Sequence, residues 1–130
     1  MATSPIVENM AERILPGLNA AILSILSHHI GRNNAISRGG LCLELDRAGF
    51  NVHERLMRLA ISQLRKRGNM IGSAPGNDGG YYMIADQDEF DEFARTEYRA
   101  KILDMQETLT AMQREASRRW PKPGQLSLFG

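Results

Sequence analysis

No glycine or proline interrupts the chain between Asp86 and Arg119. Asp86 or Asp88 can cap such a stretch, and at about 1.5 Å per residue it predicts a helix of roughly 45 Å. Within it Tyr98, Ile102, Met105, Leu109, Met112 and Ala116 recur at alternating intervals of four and three residues, a heptad seam of about three repeats. A seam of that length exceeds what a small neighbouring domain can cover, so it predicts pairing with a second copy, parallel or antiparallel. The whole chain has 130 residues, 42% of them hydrophobic. That leaves room for one compact domain, over residues 18–85, between an N-terminal segment over 1–17 and the long helix over 86–119. Residues 120–130 open with Pro121-Lys122-Pro123-Gly124, cannot continue a helix, and read as a flexible tail.

Charge is segregated along the sequence. The net charge is only +1, which excludes a polycation and an acidic disordered chain. Residues 31–72 nevertheless carry a balance of +5, and residues 73–116 a balance of −6. The single cysteine, Cys42, rules out an internal disulfide and suits a reducing cytoplasm. There is no basic segment leading into an apolar run at the N-terminal end, and no window reaches eighteen apolar residues, so the expectation is a cytoplasmic protein that does not span a membrane.

Between residues 18 and 68 the apolar spacing is helical. Leu18, Ala21, Ile22, Ile25, Leu26 and His29 follow Pro16-Gly17 and precede Gly31. Ser37 is an N-cap candidate for a second helix with Leu41, Leu45 and Ala48 on one face and Gly49 at its end, although Gly39 and Gly40 weaken it. Asn51 and Glu54 have the spacing of a capping box before a third helix, whose stripe Leu56, Met57, Ala60, Ile61 and Leu64 stops at Gly68. Leu59 lies outside that stripe. The periodicity then changes: residues 69–73 and 81–85 read as two strands around the turn Ala74 to Gly80.

Three helices followed by a glycine-rich hairpin, with Met57, Ala60, Ile61, Leu64, Arg65, Gly68 and Ile71 at their spacing and then Gly79-Gly80-Tyr81-Tyr82, resemble the winged helix-turn-helix domains of the biotin-repressor type. The fold class expected is therefore mainly α with a small β-hairpin wing, followed by a long helix capable of forming a coiled coil. The resemblance implies that the third helix enters the major groove of double-stranded DNA while the wing lies along the backbone. Arg55, Arg58, Ser62 and Arg65, three or four residues apart on one face, would then meet DNA, with Lys66, Arg67 and Arg38 adding attraction to phosphate.

The tail has its own signature. Gln125-Leu126-Ser127-Leu128-Phe129 resembles the pentapeptide with which bacterial polymerases, mismatch-repair proteins and replication regulators bind the sliding clamp. Four defined positions at background frequencies of roughly 4 to 10% make its chance occurrence on the order of one in a few hundred for a chain this size. The resemblance implies that Gln125 enters a polar subsite, that Leu126, Leu128 and Phe129 fill a hydrophobic cleft, and that Ser127 is tolerant. Trp120, just before the linker, either adds contact area or caps the long helix.

Catalytic chemistry is not expected. His28, His29, His53 and Cys42 lack zinc-ligand spacing, and the acidic group Asp86, Asp88, Glu89, Asp91 and Glu92 reads as a solvated helix start that favours the macrodipole. The loop Pro75 to Gly80 lacks the Gly-Lys-Ser/Thr sequence of a phosphate loop. No nucleophile, base and orienting group can be assembled, so the reading is not an enzyme, with no cofactor and no metal. It is a bacterial or bacteriophage DNA-binding adaptor, homodimeric, that engages the replicative sliding clamp. Two other readings use the same residues: a transcriptional regulator whose tail is incidental, and a clamp-binding inhibitor that does not bind DNA.

Overall fold

A computed structural model describes residues 10–76 and 79–122. The described chain separates into two compact units, one ending at Phe90 and the other beginning at Asp91.

The first unit opens with a short helix, α1 (Met10–Ile14), in the segment to which the sequence assigns no element. Five residues are too few to show a periodicity. The helix is nevertheless fixed at both levels of structure: Ala11 is fully buried, and Glu12 accepts from the backbone N–H groups of Gly17 at 2.5 Å and Asn19 at 3.0 Å. Those two N–H groups stand at the start of α2 (Leu18–Leu26), where no earlier turn can satisfy them. Leu18, Ile22 and Leu26 are fully buried, as their spacing predicts. α2 ends sooner than Gly31 because the next residues pair with a strand. The His29 carbonyl accepts from Met83 N–H and Gly31 N–H donates to the Met83 carbonyl, both at 2.8 Å.

After a 3-10 turn (Arg32–Asn34), a two-residue strand β1 (Ile36–Ser37) leads into α3 (Arg38–Arg47). Ser37 is the N-cap of α3, its Oγ accepting from Gly40 N–H at 2.9 Å. Leu41 and Leu45 are buried, but Ala48 is exposed. It stands one residue past the helix, where helical spacing no longer sets its direction. α4 (Glu54–Lys66) begins one residue after His53, whose Nδ1 accepts from Leu56 N–H at 3.3 Å. The cap is thus histidine and not Asn51, which lies three residues before the helix start and is exposed. Leu56, Met57, Ala60, Ile61 and Leu64 are all buried, and Leu59 packs half-buried against the same core.

β2 (Ile71–Ser73) and β3 (Gly80–Met83) form an antiparallel hairpin, and β1 pairs antiparallel on the other edge of β3, giving the order β1-β3-β2. Two residues carry too little pattern for β1 to be read from sequence, and the structure finds it because Gly80 has no side chain. A Cβ there would overlap the Ile36 carbonyl across the pair Ser37–Gly80. Gly72, opposite Tyr82, is likewise small enough for the buried Tyr82 ring to lie across it.

α5 (Gln87–Phe93) is capped by Asp86, whose Oδ1 accepts from Glu89 N–H at 2.9 Å. Glu89 in turn accepts from the N–H groups of Ala85 at 2.8 Å and Arg32 at 3.0 Å, so one member of the acidic group anchors backbone rather than facing water alone. In the second unit a π-helical segment (Ala94–Arg99) precedes α6 (Ala100–Arg119). The long helical interval therefore contains one wider turn, where the Thr96 hydroxyl donates to the Glu92 carbonyl at 2.9 Å. The Phe93 ring is buried and meets Tyr98 edge-on, with centroids 5.6 Å apart. Trp120 occupies the C-cap position of α6 and is exposed. Among the described residues, no helix is long and apolar enough to cross a membrane.

Candidate nucleic-acid interface and partner surfaces

α4 divides its side chains by periodicity. The apolar stripe faces α2, α3 and the sheet, which leaves Arg55 and Arg58 on the opposite, exposed face, with Ser62 half-buried beside them. Neither Arg55 nor Arg58 forms an ion pair with a described residue, so both guanidinium forks are available to an anionic partner. Lys66 and Arg67 are exposed at the end of the helix.

Arg65 shares the helical face of Arg55 and Arg58 but not their surroundings. Its Nε donates to the Ile71 carbonyl at 2.8 Å, which ties the end of α4 to the start of β2. A carbonyl at the edge of a short strand is an acceptor that helical spacing cannot reveal. Arg38, at the start of α3, stands 3.9 Å from Glu54, the first residue of α4. That partly exposed pair links two helix starts, and Glu54 offsets part of the positive charge there. Sequence reasoning assigned Glu54 only to the cap. Arg47 is paired in the same manner with Glu44 at 3.0 Å.

Glu54 also acts on Cys42. The thiol is half-buried, donates to Met57 Sδ at 3.6 Å, and is pushed above its ordinary range by burial first and by the Glu54 charge second. A thiol held protonated in this way is a poor nucleophile. No group of three or more His, Cys, Asp or Glu suited to a metal ion occurs among the described residues.

In the second unit the heptad seam is open to solvent. Ile102, Met105, Leu109 and Met112 are each more than half exposed, Tyr98 is exposed although its ring meets Phe93, and Ala116 is half-buried. Lys101 pairs with Glu97 at 3.1 Å along one flank. Near the end of α6, Glu115 receives hydrogen bonds from Arg118 and from Arg119 (2.7 Å), which hold its carboxyl below the ordinary range. Of the tail pentapeptide, Gln125, Leu126, Ser127, Leu128 and Phe129 all lie outside the described residues. So do Asn77 and Asp78, between β2 and β3 in the sequence.

Comparison with known proteins adds no relative: no family model matches the chain, and no curated protein or solved structure matches it.

Proposed function

We propose that this protein is a bacterial or bacteriophage DNA-binding adaptor, in which a winged helix-turn-helix domain holds duplex DNA and the tail Gln125 to Phe129 engages the replicative sliding clamp. The observation that carries the clamp assignment is the pentapeptide itself, matched at every defined position. The DNA assignment is supported by the element order, the helices α2, α3 and α4 with a short strand before α3 and a three-stranded antiparallel sheet closing the domain, and by Arg55 and Arg58 exposed on α4 without an ion pair to a described residue. The exposed seam of α6 supports a homodimer. Two copies would present two tails to a ring that is itself symmetric, and effective concentration would then raise the affinity of a weak motif without any new contact. The protein would bring the replication machinery to a DNA site or obstruct it there.

A short peptide loses conformational entropy on docking, so a single tail should bind at about micromolar affinity, with its energy concentrated in Leu128 and Phe129. The test is gel filtration of the full chain mixed with a bacterial sliding clamp, beside a chain lacking residues 125–130 and a chain carrying Leu128→Ala and Phe129→Ala. Co-elution of the intact chain alone is the expected result. Clamp binding that survives the double substitution refutes the tail assignment. Clamp binding with no affinity for duplex at low salt favours the inhibitor reading, and duplex binding with no clamp binding favours the transcriptional regulator.

A further inference from the structure

We infer that the α6 seam is covered by a second copy of the chain running antiparallel, with Ile102 of each copy opposite Met112 of the other. The inference rests on the homodimer reading and supplies its geometry. The seam residues have a property that pairing in one direction uses and pairing in the other does not: read from either end, their positions form the same series. Centred between Met105 and Leu109, an antiparallel pair aligns Ile102 with Met112, Met105 with Leu109, and Tyr98 with Ala116, and no seam residue lacks an opposite number.

Size and charge then separate the two directions. Antiparallel alignment sets the largest seam residue, Tyr98, against the smallest, Ala116, so the end layers have a volume close to that of the inner ones. Parallel alignment sets two tyrosines at one end and two alanines at the other, crowding one layer and leaving the other underfilled. On the flank of the seam, residues 101, 108 and 115 lie at equivalent heptad positions. Antiparallel pairing brings Lys101, which pairs with Glu97 in its own helix, beside Glu115 of the second copy twice by symmetry, so that Glu115 is shared with its own Arg118 and Arg119, and sets Thr108 beside its own copy between them. Parallel pairing sets Lys101 beside Gln106 and Thr108 beside Gln113, with no ion pair. The ends of the helical interval add to this. Parallel chains set residues 91–97, with a balance of −2, beside the same residues of the second copy, and residues 114–119, with a balance of +2, beside theirs, whereas antiparallel chains separate both like-charged pairs. Opposed helix dipoles act in the same sense.

Disulfide trapping distinguishes the arrangements in the full chain carrying Cys42→Ser. Ile102→Cys and Met112→Cys variants, one bearing a size tag, are prepared separately and oxidised alone and as an equal mixture, with light scattering at high micromolar concentration run alongside. In the antiparallel pair the two 102 positions stand about 15 Å apart along the axis, beyond disulfide reach, while 102 and 112 are adjacent. The expected result is a mixed 102–112 disulfide in up to about half of the chains, the statistical share of mixed pairs, and none in either variant alone. Ile102→Cys linking to itself in a dimer overturns the antiparallel direction and leaves the dimer standing. A dimer in which neither arrangement links overturns the seam as its interface. Light scattering that finds only monomer refutes the homodimer reading on which the inference depends.

Discussion

Arg55, Arg58 and Arg65 are equivalent by helical spacing and distinct in the fold, which makes their substitution a sharp test of the proposed interface. Arg65→Ala removes the donor to the Ile71 carbonyl and uncovers a partly buried acceptor. A hydrogen bond from a charged group of this kind is worth about 1.5–3 kcal/mol. For a unit of this size that corresponds to a fall in Tm of about 6–24 °C. Arg55→Ala and Arg58→Ala act on exposed side chains with no described ion pair, so together they should leave stability within about 0.5 kcal/mol per site. Their effect falls on binding. If each contacts one phosphate, the slope of log K against log salt becomes shallower by about 0.9 per residue, and the double variant binds duplex about sixty-fold more weakly at 0.1 M salt, taking equal affinity at 1 M as reference. Fluorescence anisotropy with a labelled duplex between 50 and 200 mM salt measures the slope, and thermal melting measures the stability. An unchanged slope in the Arg55/Arg58 double variant would remove α4 from the interface. An Arg65→Ala chain that melts with the unsubstituted protein would refute the structural role given to that arginine.

Two glycines in the same region should respond in opposite directions. Gly80→Ala forces a Cβ onto the Ile36 carbonyl and should cost about 3 kcal/mol or more in a denaturant titration, whereas Gly39→Ala, in a helix with open space around it, should stabilise by about 0.5–1 kcal/mol; equal effects would refute the close approach of β1 to β3. Cys42 should alkylate slowly, with a rate that rises to its midpoint at a higher pH than for an ordinary cysteine, because burial and the Glu54 charge both favour the neutral thiol. Glu54→Gln should bring that midpoint down, and a midpoint at or below the ordinary value in the unsubstituted protein would contradict the packing described for the thiol.

Periodicity was enough to place α2, α3 and α4 but not the five-residue α1, because burial on one face imposes a 3.6-residue repeat that only a sufficiently long helix displays. Leu56, Met57, Ala60, Ile61 and Leu64 announce α4, and the absence of glycine and proline after Asp86 announces the long helical interval. The proposed tail motif is legible for a different reason: a peptide ligand would carry its recognition in consecutive residues. Of the candidate interface, the exposure of Arg55 and Arg58 follows from the stripe opposite them. What the tertiary structure alone decided are the contacts whose partners are distant in sequence. The two-residue strand β1 exists because Gly80 admits the Ile36 carbonyl, a contact between residues more than forty positions apart. Helical spacing assigns Arg65 to the face of Arg55 and Arg58, but the Ile71 carbonyl decides where its guanidinium goes. The offset of Arg38 by Glu54 is decided in the same way, whereas the His53 cap is local, and backbone geometry separates its two candidates, both within three residues of Glu54. Local sequence fixes which groups seek a partner, and only the assembled fold fixes which partner is within reach.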